Sequence, residues 1–220
     1  IELPELWKKW KRMALFQKQI MQAKDMFLKN NYFKFFIFII LFYTVKLHAN
    51  DLVLEKSINY LKKLKYFSAS FIQSNNNEIS EGKLYIGKKR VRVEYNTPAK
   101  ILIILDKDKA MYYNYELEEE EFFNPQNTQA WFFFDIFNNP FFFNSAKLTT
   151  NNNNIVLEKN GKNEDGEYNI KVFFENNPLL IRKIELYLND TILIISIFNH
   201  NYDVQFNEKY FKLINPDFFN

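Results

Sequence analysis

Between Leu52 and Leu64 the apolar residues recur at helical spacing. Leu52, Leu54, Ile58, Leu61 and Leu64 share one side, with Lys56, Lys62, Lys63 and Lys65 on the others. This predicts an amphipathic helix with Asp51 as its N-cap. The pattern then changes to strands, at Ser70–Gln73, Gly82–Ile86, Arg90–Tyr95, Lys100–Leu105, Lys109–Tyr115 and Glu118–Phe123. In the third of these, Val91, Val93 and Tyr95 face one way, and Arg90, Arg92 and Glu94 the other. Gly87-Lys88-Lys89 and Asp106-Lys107-Asp108 read as hairpin turns, and connections this short make neighbours antiparallel. Further strands are expected at Ile155–Lys159, Tyr168–Glu175, Leu180–Leu188 and Thr191–Asn199, the last two joined by a hairpin at Asn189-Asp190. No strand–helix–strand crossover appears, which argues against a parallel nucleotide-binding sheet. The expected class is α+β, built on a curved antiparallel sheet.

Two segments break the alternation. Ile101-Leu102-Ile103-Ile104-Leu105 is apolar on both faces. A strand of that kind is covered on each side, or lines an apolar cavity on one. Asn127–Phe143 reads NTQAWFFFDIFNNPFFF. Thr128 is placed to cap a helix over Gln129–Phe137, and Trp131, Phe132, Phe133, Phe134 and Phe137 make that helix apolar almost all round. Such a helix is buried, faces lipid or covers an apolar cavity. The acidic run Glu116–Glu121 reads as a solvated edge or turn, because it lacks the His partners of a metal site.

The beginning of the chain reads as a leader. Met26–Lys34 is positive, Phe35–Val45 is an apolar run of 11 residues, and Leu47-His48-Ala49 ends on a small residue. That order describes a secretory signal peptide over residues 26–49, cut near Ala49. Eleven helical residues reach only about half of a bilayer's ~30 Å core, which weakens the rival reading of an uncleaved anchor. Residues 1–25, basic and Trp-containing, are expected to be an over-extended segment ahead of Met26. The alternative is a basic amphipathic helix on a membrane surface. Residues 50–220 are then one domain, exported to the periplasm.

The leader also accounts for the charge. The chain carries 29 Lys and Arg against 26 Asp and Glu, a net charge of +3. Residues 1–49 hold nine of the basic and three of the acidic residues, so residues 50–220 are net negative. No nucleic-acid partner is indicated for that domain. The chain has no cysteine, which excludes disulfides, a thiol nucleophile, a Cys-type zinc site and a lipidated cysteine. Of its two histidines, His48 is in the leader and His200 stands alone after a strand. No P-loop, GxGxxG, HExxH or Ser-His-Asp set is present. The expectation is a protein that is not an enzyme and uses no cofactor or metal.

One stretch carries a family resemblance. It contains Ala69-x-Phe71-x-Gln73, Gly82-x-Leu84-Tyr85-Ile86, a basic turn at Lys88–Arg90, and Arg92-Val93-Glu94-Tyr95 before Pro98. The chain closes on Phe211 and Pro216 in an F-x-x-x-x-P pattern. These motifs resemble the LolA family, the periplasmic carriers of bacterial lipoproteins. The resemblance implies an unclosed, curved sheet around an apolar cavity that takes acyl chains, closed by lid helices. It implies Ile101, Ile103 and Leu105 on the cavity wall, and Trp131, Phe133, Phe134 and Phe137 on the lid. The implied partners are acylated lipoproteins, an inner-membrane ABC exporter and an outer-membrane acceptor lipoprotein, with the carrier a monomer. Where the family has Arg-Pro in the turn, this chain has Lys88 and Lys89, the candidates for a lid latch. A lysine makes fewer directed hydrogen bonds than arginine. The rival expectation is an acyl-chain- or lipoprotein-sensing regulatory module of similar fold.

Overall fold

The computed structural model describes residues 11–22, 24, 51–75, 78–139, 141–163 and 166–219. The signal peptide expected at 26–49, with its cut near Ala49, lies outside the described residues. The chain divides into two units, Ile1–Leu52 and Val53–Asn220. In the first, residues 11–22 are helical and exposed. Among the described residues, no helix is long and apolar enough to cross a membrane.

The second unit is an eleven-stranded sheet with helices. The strands are β1 (Phe67–Asn75), β2 (Glu78–Ile86), β3 (Val91–Thr97), β4 (Ile101–Leu105), β5 (Ala110–Asn114) and β6 (Glu119–Phe123), followed by β7 (Lys147–Asn151), β8 (Asn154–Asn163), β9 (Gly166–Asn176), β10 (Leu179–Leu188) and β11 (Thr191–Asn201). Their order is β6-β5-β4-β3-β2-β1-β11-β10-β9-β8-β7, and every neighbouring pair is antiparallel. The sheet is therefore two meanders joined where β1 pairs with β11. It stays open, with β6 and β7 as its edges. Those edges are consecutive in the chain, so the link between them must pass from one side of the sheet to the other. Residues 53–63 form the first helix of this unit, α1. The β6–β7 link carries the second, α2 (Ala130–Asn138).

Local chemistry explains most of these boundaries. Thr128 Oγ1 accepts a hydrogen bond from the Ala130 amide at 3.2 Å, which satisfies an otherwise orphan donor at the start of α2. Asn189 takes a positive φ of 51° in the turn between β10 and β11, a conformation that asparagine tolerates. Strand β7, KLTTN, carries a single apolar side chain and gave no alternation to read. It forms because β8 offers it a complete ladder. Asp51 is itself helical rather than a cap, and Leu52 is exposed. Leu61 and Leu64 are buried in the core, and Leu54 and Ile58 pack against it partly buried.

The motif residues on β1, β2 and β3 form one arrangement. Phe71 pairs with Gly82, and Gly82 in turn pairs with Tyr95. The Phe71 and Tyr95 rings meet edge to face at 5.2 Å above the glycine. Tyr95 donates its hydroxyl hydrogen to Gln73 Oε1 at 2.9 Å. Burial pushes the Tyr95 phenol up to about 12, offset in part by the bond to Gln73, so it stays a donor at neutral pH. A Cβ on Gly82 would collide with the Glu94 carbonyl oxygen and lie 2.8 Å from the Phe71 ring.

The outer face of the same strands is closed by the C-terminal tail. Arg90 donates to the Phe211 carbonyl at 2.9 Å and to Asp106 at 2.8 Å. Arg92 donates to the Tyr210 carbonyl at 2.7 Å, pairs with Glu94 at 2.6 Å and lies 4.1 Å from the Tyr210 ring centroid. Further along, Leu213 packs on Leu102, Ile104, Met111 and Tyr113, and Tyr113 bonds to Asp217. This is why Ile101–Leu105 is apolar on both sides: the tail covers Leu102 and Ile104.

Two substitutions should weaken these contacts measurably. Gly82→Ala should lower unfolding stability by about 2 kcal/mol or more, because backbone rather than a mobile side chain blocks the methyl group. Arg92→Ala should cost about 2–3 kcal/mol by removing the cation that pairs with Glu94, which keeps only its bonds from Tyr85 and Tyr210, and by leaving the Tyr210 carbonyl without its donor. Urea unfolding measures both, and loss of tail protection in amide exchange should accompany the second variant.

Candidate functional site

The inner face of the sheet is apolar and α2 lies across it. Phe132, Ile136 and Phe137 of the helix are buried in the core with Leu61 of α1, Leu64 just after it and both halves of the sheet. The packing is incomplete. A cavity of about 200 Å³ remains between sheet and helix. Its walls include Phe71, Leu84, Val93, Ile103 and Leu105 from one half of the sheet and Ile184, Leu193, Ile195 and Ile197 from the other. Ala130, Phe133 and Phe137 of α2 form its cover.

One end of this cavity is polar. Gln73, Asn75, Tyr95 and Gln129 line it there. Asn75 Oδ1 is buried with no hydrogen-bond partner among the described residues. The rest of the wall offers no chemistry beyond contact. Among the described residues no three His, Cys, Asp or Glu side chains are grouped to hold a metal. His200 is engaged elsewhere, its Nε2 2.7 Å from the Ile181 carbonyl oxygen, and burial holds its pKa below the ordinary histidine value.

The residues named from sequence divide into three groups. Ile103, Leu105, Phe133 and Phe137 meet at the cavity. Ile101 is half-buried and stands opposite Tyr95, beyond the lining. Trp131 and Phe134 point away from it. Trp131 stacks on Phe132 at 4.1 Å and meets Phe142 and Tyr168 edge to face. Phe134 lines two other depressions, one of them shared with Trp131. Both share their side of α2 with Asp135 and Asn138, and that polar pair was the signal for the outward side.

Lys88 and Lys89 line a second, larger cavity of about 500 Å³ beside the C-terminal end of α2. Among the described hydrogen bonds none joins either lysine to α2. The directed contacts of this turn belong instead to Arg90, one residue further on. Among the wall residues missed from sequence, Leu193, Ile195 and Ile197 had a readable signal, since alternate residues of β11 face inward. What sequence lacked was the pairing of β11 with β1, which brings Ile197 opposite Phe71, Ile195 opposite Gln73 and Leu193 opposite Asn75.

An open antiparallel sheet holding an apolar cavity beneath a single helix defines a binding module. The sequence model of the family described as outer membrane lipoprotein carrier protein LolA matches residues 62–213. The chain belongs to the LolA family. Among solved structures it is similar to MucB, with a TM-score of 0.49 and 11% identity over 74% of this chain and 62% of that one. It is also similar to LprF from Mycobacterium bovis, with a TM-score of 0.43 and 10% identity over 73% and 96%. An uncharacterized conserved protein from Thermus thermophilus gives 0.46 and 6% over 71% and 89%. These likenesses are too distant to bear on function. A search of curated proteins finds no match.

Ala130→Leu tests whether this cavity is the binding site. The larger side chain fills part of the void, so stability should hold or rise by about 0.5–1 kcal/mol. Uptake of the neutral fluorophore N-phenylnaphthylamine should fall severalfold. Undiminished uptake by the folded variant would place binding elsewhere.

Proposed function

We propose that this protein is a periplasmic carrier that takes lipoprotein acyl chains into the cavity beneath α2. It receives them from an inner-membrane ABC exporter and yields them to an outer-membrane acceptor lipoprotein. No covalent change accompanies the transfer. The observation that carries this reading is the apolar cavity, walled by both halves of the sheet, in a chain of the LolA family.

The cavity's size favours a moving cover. Ligand pockets usually measure about 300–1,000 Å³, so about 200 Å³ leaves too little room for an acyl chain while α2 is seated. The link that bears α2 is tied down at both ends. Before the helix, Gln126 donates to Asp108 at 3.0 Å. After it, Lys159 donates to the Phe142 carbonyl at 2.6 Å and lies over the Phe142 ring. Between these ties α2 is held by side-chain packing, which an acyl chain of similar polarity can replace. Each CH₂ removed from water contributes about 0.8 kcal/mol, so a chain in transit needs such a shelter.

The decisive experiment is a transfer assay. A purified acylated lipoprotein should displace N-phenylnaphthylamine from the protein, and adding acceptor should then speed its release. Displacement without acceptor-stimulated release would favour a sensor of acyl chains. No probe binding by a folded sample would remove both readings. Phe133→Glu should abolish uptake, because it places a charge in the apolar cavity. Export is checked separately, since N-terminal sequencing of protein recovered from the periplasm should begin near Asn50.

A further inference from the structure

The second cavity is chemically unlike the first. Three elements supply its cations: Lys62 and Lys65 from α1 and the residues just after it, Lys88 and Lys89 from the β2–β3 turn, and Lys107 from the β4–β5 turn. Among the described residues that line it the one carboxylate is Asp106, already occupied by Arg90 at 2.7 Å. Among the described residues none of the five lysines has an ion-pair partner. Lys107 also acts on Asp135 of α2, whose carboxyl burial nevertheless holds above the ordinary carboxylate value. Beneath the cations the floor is apolar and includes Leu61, Phe137 and Phe143.

This arrangement exceeds what the fold requires. Lysines near the C-terminal end of a helix complement its dipole, but each such contact gives about 0.3–1 kcal/mol and only within the last turn. Five cations gathered from three separate elements repel one another, and the cost is tolerable only because they are exposed and screened. An anion in the cavity would remove that repulsion. The cavity's volume of about 500 Å³ is within the usual range for a small ligand.

The two cavities share a wall. Phe137 lines both, and it is otherwise buried. The register fixes their sequence along the sheet. The lysine cavity lies at the end where Phe67 pairs with Ile86, next to the β2–β3 turn. The apolar cavity extends from there toward Asn75, which pairs with Glu78 at the opposite end. A hydrocarbon chain in the apolar cavity, passing Phe137, would bring a head group among the lysines.

We infer that the lysine-ringed cavity binds the anionic head, a phosphate or a carboxylate, of an amphiphile whose hydrocarbon chain occupies the adjoining apolar cavity. The inference rests on the carrier reading for the chain and adds a charge requirement for the head. It makes the protein selective among apolar ligands, favouring those with a negative end.

The test uses the whole protein loaded with N-phenylnaphthylamine, displaced in parallel by dodecyl phosphate, dodecanoate and neutral dodecanol. The two anions should displace the probe at about tenfold lower concentration than dodecanol, a combined effect of several exposed charges. Added salt should narrow that gap. In the variant carrying K62Q, K88Q and K89Q together, the anions should lose their advantage and match dodecanol. Equal displacement by all three ligands in the native protein overturns the anionic site while leaving the apolar cavity as the site of uptake. Failure of the folded native protein to bind the probe overturns the carrier reading, and this inference with it. Inorganic phosphate is the remaining arm. If it alone shifts the NMR signals of the lysines with the same affinity as dodecyl phosphate, the ligand is a free anion and the amphiphile inference falls.

Discussion

The structure depends on how an open sheet covers its inner face. Eleven strands that do not close leave an apolar surface spanning both meanders, and among the described residues α1 and the β6–β7 link cover it. The link must travel between the two edges in any case, so its helix falls across that face. Burying Phe132, Ile136 and Phe137 contributes roughly 1.5–3 kcal/mol for each side chain, or roughly 5–9 kcal/mol together. A helix of nine residues cannot fill a surface of this breadth, and the shortfall is the cavity. On the proposed reading, the same energies permit exchange. At about 0.8 kcal/mol for each CH₂, a chain of about sixteen carbons gains roughly 13 kcal/mol on burial, enough to offset the contacts that α2 gives up.

The wall of that cavity depends on one absent side chain. Gly82 lets the Phe71 and Tyr95 rings meet above β2, and any Cβ there would strike the neighbouring backbone. Three motifs that look separate along the chain, around Phe71, Gly82 and Tyr95, are successive members of one cross-strand row. Tyr95 also carries polarity inward through its bond to Gln73, so the row contributes both the apolar wall and its polar end.

Much of this was legible in sequence, because period-2 alternation reports directly which residues share a face. Val91, Val93 and Tyr95 face in, and Arg90 and Arg92 face out, as the alternation of β3 dictates. The two-sided apolar strand Ile101–Leu105 signalled a second covering layer, although only the structure showed that the layer is the C-terminal tail with Leu213. Other features left no such signal. Strand β7 is polar and exists through its partner. Trp131 and Phe134 are of the same type as Phe133 and Phe137, and the phase of Asp135 and Asn138, which marks their side of α2 as the outer one, is a faint signal against so many rings. The clustering of Lys62, Lys65, Lys88, Lys89 and Lys107 arises only when two turns and α1 meet at one end of the sheet.

Strand β3 ties these features together, because its two faces hold different parts of the molecule. Val93 and Tyr95 line the cavity, while Arg92, with Arg90 just before the strand, holds the tail. A slip of one residue would exchange the faces, placing guanidinium groups in the apolar cavity and valines under the tail carbonyls. Register is therefore enforced from both sides at once, by the cost of burying charge and by the loss of paired hydrogen bonds. The consequence is a division of labour. The outer face fixes the strand through directed polar contacts, and that leaves the inner face free to be smooth, apolar and only partly filled. A cavity lined by mobile packing alone would collapse or vary in shape, and here the rigidity it needs comes from the opposite side of the same strand.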